Sequence, residues 1–230
     1  MRRYIYFVFL LCCAVNLLLT SCVRQKYVVM DMVHHNPGEA MTESKFLDPS
    51  FLKKNEYGAK VFFLFEAAQF GIDWKSFDPS LFPDTTEAGR WVAEKAEIIH
   101  KKYDAAKKED LQVYCMLDML VLPSLLVEKH RTELTNEQGK LDISKPYTQL
   151  CIRELMKEMF ETFPQLDGLV IRTGETYLHD APYYVGNHPV QNGMYDHITL
   201  INLLREEVCE RRNKKLFYRT WDMGQLHSIP

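Results

Sequence analysis

The sequence predicts an α/β fold, a partial (β/α)8 TIM barrel with about five parallel strands present, preceded by a signal peptide. Three observations predict it. Five short, apolar, β-rich runs are spread along the chain, polar loops and helix-period segments separate them, and no hairpin turn signals join them. The runs are mostly continuous rather than alternating, as expected for strands buried on both faces of a parallel sheet. Strand–helix alternation then implies right-handed βαβ units.

The first run is Tyr27 to Val33 and the second Lys60 to Phe65. The third is Gln112 to Leu117, the fourth Gly168 to Arg172, and the fifth Lys215 to Trp221. Amphipathic helices are predicted over Thr86 to Lys107, Pro146 to Phe163 and Asp196 to Arg212. Asp84-Thr85-Thr86-Glu87 and Ser144-Lys145-Pro146 supply helix-start signals, proline being suited to a first turn. A shorter helix follows Asp48-Pro49 and ends near Gly58. An open doubly wound sheet is the rival architecture, but it usually carries a glycine-rich loop after its first strand. Here that turn reads His34-His35-Asn36-Pro37-Gly38-Glu39, so the barrel is preferred. A closed barrel of this class needs more strands than these five. The chain is therefore expected to be the N-terminal portion of a longer barrel protein, inactive by itself; a genuinely short, open-sheet variant is the alternative.

The N-terminus has its own signature. Arg2 and Arg3 precede an apolar run from Tyr4 to Leu19, broken only by Asn16, which has the length of a signal h-region rather than of a spanning helix. Leu19-Thr20-Ser21-Cys22 resembles the bacterial lipobox. The expected organisation is a lipoprotein signal peptide over 1–21, a lipidated Cys22 with a short tether over 22–26, and the barrel domain over 27–230. A multiply acylated cysteine would hold the chain to a membrane at about 0.8 kcal/mol per buried methylene. The predicted location is the cell envelope, as an outer-membrane lipoprotein. Val23-Arg24-Gln25-Lys26 carries no acidic cluster resembling a surface-export tag, which tilts the reading to the periplasmic side.

Composition belongs to an ordinary folded domain, 47% hydrophobic and 26% charged, and a net charge of -3 gives no reason to expect nucleic acid. Of six cysteines, Cys115, Cys151 and Cys209 remain beyond the signal and Cys22, widely spaced and without a metal or disulfide pattern. Buried free thiols are expected, and no cofactor is implied.

In a barrel, functional groups gather at the carboxyl ends of the strands. Those ends supply His34, His35, Asn36 and Glu39, then Glu66 and Gln69, then Asp118. The fourth supplies Arg172, Glu175, Tyr177, His179 and Asp180, with Tyr183, Tyr184, Asn187 and His188 further along its loop, and the fifth Arg219, Trp221 and Asp222. Aromatic rings beside carboxylates and amides suit a carbohydrate ligand, whose rings have apolar faces and a dense edge of hydroxyls. Glycoside hydrolysis needs two carboxyl groups astride the scissile bond. Each residue also has a plainer role. Arg172 could pair with Glu175, Asp118 could cap the next segment, and Arg219 could be satisfied by rim carboxylates. His34 and His35 are adjacent and point to opposite sides of a strand, so a metal is not expected there.

The runs DMVHHNPGE, GLVIRTGETYLHDAPY and LFYRTWD resemble those of Bacteroidota barrel proteins grouped with the glycoside hydrolases and distantly similar to α-glucuronidases, over about Tyr27 to Trp221. The resemblance implies an acid/base glutamate at the end of strand four, which Glu175 matches, and a nucleophile at the end of strand seven, which this chain lacks. The family commonly has Asn before that glutamate, where Gly174 stands here. The leading expectation is a glycoside-hydrolase-like lipoprotein acting on carbohydrate outside the cytoplasm. A non-catalytic glycan-binding lipoprotein and a metal-dependent hydrolase using His34 or His35 are the alternatives.

Overall fold

The computed structural model describes residues 28–31, 44–63, 66–173, 176, 178, 180–186 and 193–219. The elements in chain order begin with β1 (Met30–Asp31), α1 (Pro49–Lys54), β2 (Ala59–Phe62) and α2 (Glu87–Lys108). Next come β3 (Gln112–Asp118), β4 (Val121–Pro123), α3 (Ser124–Lys129), α4 (Arg131–Leu134) and α5 (Pro146–Thr162). The last are β5 (Gly168–Arg172), β6 (Tyr184–Gly186), α6 (Met194–Leu204) and β7 (Lys215–Tyr218).

Local chemistry sets the helix starts. Asp48 accepts from the Ser50 amide at 3.0 Å, and Pro49 takes the first position of α1. Thr86 Oγ1 accepts from the Gly89 amide at 3.0 Å, a cap worth about 1 kcal/mol. Along α2 the buried positions Val92, Ile99, Tyr103 and Ala106 recur at helical spacing, while the intervening lysines and acids face outward. Pro146 opens α5, which buries Cys151, Ile152, Leu155, Met156 and Met159.

The principal sheet has five strands in the order β1-β2-β3-β5-β7, every pair parallel. That order is the order of the sequence. A doubly wound sheet reverses direction at a switch point; a barrel wall does not. The strand order therefore agrees with a partial barrel. Its outer face packs on the helices through Val113, Cys115, Leu117, Leu169 and Ile171. The inner face carries the opposite parity: Ala59, Val61 and Phe63, then Tyr114 and Met116, then Val170, with Met30 beside them.

Several boundaries differ from the expected ones. β2 covers Ala59–Phe62, with residues 64 and 65 outside the described set, and β7 ends at Tyr218. The helix expected over Asp196 to Arg212 starts at Met194 and is α-helical only to Leu204, continuing as a π-helical turn over Arg205–Glu210. Widening that turn brings Glu206 and Glu207 to one guanidinium, that of Arg153 on α5. β4 and β6 were not anticipated. They form a separate antiparallel ribbon, Val121 opposite Gly186 and Pro123 opposite Tyr184, too short for periodicity to register. No helix among the described residues is long and apolar enough to cross a membrane.

Candidate functional site

Pairing register converts the inner face into layers. At the amino end Gln112 accepts from the Tyr114 hydroxyl at 2.7 Å and from Lys215 Nζ at 3.3 Å. Above it, Tyr114 aligns with Gly168 and Lys215 across three strands. A Cβ on Gly168 would stand 2.1 Å from the Lys215 carbonyl oxygen, so only glycine lets β5 and β7 approach there. The bare position leaves the Tyr114 and Phe217 rings in edge contact, with centroids 5.4 Å apart. The next layer is Met116, Val170 and Phe217, aligned strand to strand.

At the carboxyl end the inner face turns polar. Asp118 and Arg172 are directly opposed on β3 and β5. Arg172 Nε donates to Asp118 Oδ1 at 2.5 Å and its Nη2 to Oδ2 at 2.6 Å, a two-point bond between side chains only 3% and 5% exposed. The guanidinium carbon lies 4.5 Å from the centre of the Phe63 ring. Desolvating both charges costs several kcal/mol per ion, which the bidentate geometry and the ring contact offset. The Arg219 amide donates to the Ile171 carbonyl at 2.8 Å, extending the ladder by one residue. Arg219 shares the parity of Phe217 and stands half-buried at the same level as Arg172.

Three predicted residues, Asp118, Arg172 and Arg219, thus come to one level of one face. The Asp118 carboxylate is bonded across the sheet to Arg172, and the first turn of α3 has no side-chain cap. Asp180 lies in an exposed turn after β5. Other expected positions serve elsewhere. Glu66 is ion-paired with Lys102 of α2. Gln69 is 2% exposed within the core, where its carbonyl accepts from the Tyr184 hydroxyl at 3.2 Å. Tyr184 is no ligand platform: it packs on Phe70 and Phe82, with burial pushing its hydroxyl far above the usual tyrosine range. Burial likewise pushes the Cys115 and Cys151 thiols up to about 12, which keeps them protonated and unreactive, while Cys209 is only half-buried. His34, His35, Asn36, Glu39, Glu175, Tyr177, His179, Trp221, Asp222 and Cys22 lie outside the described residues. Among the described residues no group of three or more His, Cys, Asp or Glu side chains converges as a metal site would require.

Phe63, the ring beneath Arg172, was missed as a site residue. Its signal was available, since it has the parity of Val61 in an apolar strand that ends at the barrel mouth.

No protein-family model matches the chain, and no curated protein matches it. Solved structures of similar arrangement include a noncanonic maltogenic α-amylase, AmyB, from Thermotoga neapolitana, at 13% identity and a TM-score of 0.48. That likeness covers 87% of this chain and 47% of the amylase chain. A second is the galactosidase domain of the α-galactosidase–sucrose kinase AgaSK, at 13% identity and a TM-score of 0.43, covering 75% of this chain and 23% of that one. The chain thus spans about half the length of the first and a quarter of the second.

Proposed function

We propose that the chain is part of a carbohydrate-active barrel, tethered to the cell envelope through Cys22 and using the carboxyl end of its parallel sheet as the sugar site. The observation that carries this reading is the polar level of Asp118, Arg172 and Arg219 above the apolar layers of the inner face. Parallel barrels keep their chemistry at that end. On this reading Glu175, three residues past β5, protonates the leaving glycosidic oxygen. His34, His35, Asn36, Glu39, Tyr177, His179, Asp180, Trp221 and Asp222 contribute hydrogen bonds and ring contacts around it.

A second reading has a specific observation in its favour. Asp118 is the only carboxylate on the inner face of the described strands, and it is bonded to Arg172. Glycoside hydrolysis requires two working carboxyl groups, so a site that binds sugar without cleaving it also fits. Turnover and affinity for a panel of glycans, measured on the longer barrel protein with and without Glu175→Gln, separate the two. Loss of turnover by about a hundredfold or more with affinity retained supports the acid/base role. Equal turnover in both proteins ends that assignment. Measurable affinity with no turnover in either selects the binding reading.

A further inference from the structure

A cleft of about 300 Å³ opens where the segment before α2, the helix α3 and the segment before β6 meet. Its walls include Pro83, Ser124, Leu125, Glu128, Pro182 and Tyr183. The walls are held from behind. A Cβ on Gly89 would stand 2.1 Å from the Pro83 carbonyl oxygen, so the first turn of α2 is seated directly on that segment. The Ser124 amide donates to the Tyr183 carbonyl at 2.8 Å, and the Tyr183 ring meets Trp91 edge-on at 5.7 Å. Tyr183 is half-buried, whereas Leu125 and Pro182 are exposed.

We infer that this cleft is an accessory carbohydrate subsite, holding one neutral sugar ring of a chain whose other end lies at the mouth of the barrel. The inference rests on the carbohydrate reading above. Flat apolar surfaces, a tyrosine and two prolines, line a volume at the small end of the range for ligand sites. At its edge Glu128 supplies carboxylate acceptors and Ser124 a hydroxyl that donates or accepts. Glu128 is exposed and has no ion-pair partner among the described residues, and the neighbouring cation, Lys129, is bonded to Asp78 at 2.8 Å. That carboxylate beside apolar rings accepts from hydroxyl donors and repels anions. The cleft is also within reach of the mouth. Ser124 is six residues past Asp118 through β4, hence at most about 20 Å away by chain length. β6, paired to β4, begins at the residue after Tyr183.

The test is site-resolved methyl NMR of the whole chain, titrated with neutral oligosaccharides of increasing length. Leu81 and Leu125 report the cleft, while Met116 and Val170 report the mouth. The expected result is perturbation of both sets by longer oligosaccharides, with the cleft signals and about tenfold of affinity lost in Tyr183→Ala. Leu125→Arg, a change at an exposed position that fills the cleft without touching the core, gives the same loss if Tyr183→Ala fails to fold. Perturbation confined to Met116 and Val170, or cleft shifts caused by a proline-rich peptide and by no sugar, overturns the subsite and leaves the mouth reading standing. Shifts confined to Leu81 and Leu125 overturn the link between cleft and mouth and count against the mouth instead. Silence at all four positions overturns both.

Discussion

Two of the charge clusters among the described residues are built differently. On the outside, Arg153 of α5 donates to Glu206 at 2.8 Å and to Glu207 at 2.5 Å, while Arg211 and Arg212, just past the π-helical turn, bond the same two acids. Glu207 is almost fully covered, but Arg211 remains 60% exposed. On the inside, Asp118 and Arg172 form a two-point bond with both side chains covered and an aromatic ring beneath. The outer cluster shares charge among several groups with water at its edge, so each bond has a substitute. The inner pair has little water to fall back on. The place of the inner pair at the carboxyl ends of the strands is the observation on which the proposed site rests.

The difference can be broken at its stronger end first. Arg172→Met strands the Asp118 carboxylate and is expected to cost about 3–5 kcal/mol in urea unfolding. The double change Asp118→Leu with Arg172→Met recovers most of that loss. A single change costing under about 1 kcal/mol would mean that water reaches the carboxylate, and the contrast between the clusters would vanish. In the outer cluster Glu207→Gln is expected to cost less, about 2 kcal/mol by the same measurement, because the arginines it releases keep Glu206 and solvent.

The smallest effect is in acid. Hydrogen bonds from Arg153 and Arg211 hold the Glu206 carboxyl down from 4.5 to about 2. A depressed folded-state value means that its contribution is complete above pH 4.5 and is lost as pH falls towards 2. Urea midpoints across that window should drop less steeply for Glu206→Gln than for the parent protein. An unchanged slope would show that the outer bonds do not form in solution.

Much of the sheet was legible in the sequence. Continuous apolar runs such as Gly168 to Arg172 report burial on both faces, and their parity assigns Val170 and Arg172 to one side without any coordinates. The ribbon of β4 and β6 was not legible, since three-residue strands carry no period and their pairing joins distant parts of the chain. The expectation for Tyr184 failed for a related reason. A tyrosine in a polar loop looks like a ligand platform, yet the ribbon folds it under Trp91 into the core.

By itself the sequence determined which residues face which way along each strand and where helices begin. Side-chain parity, proline and the Thr86 cap are local properties of the covalent chain. Tertiary structure alone decided which strand ends become neighbours. Asp118 and Arg172 meet because parallel pairing sets β3 against β5 in one register, and a shift of a single residue would turn one of them to the helices.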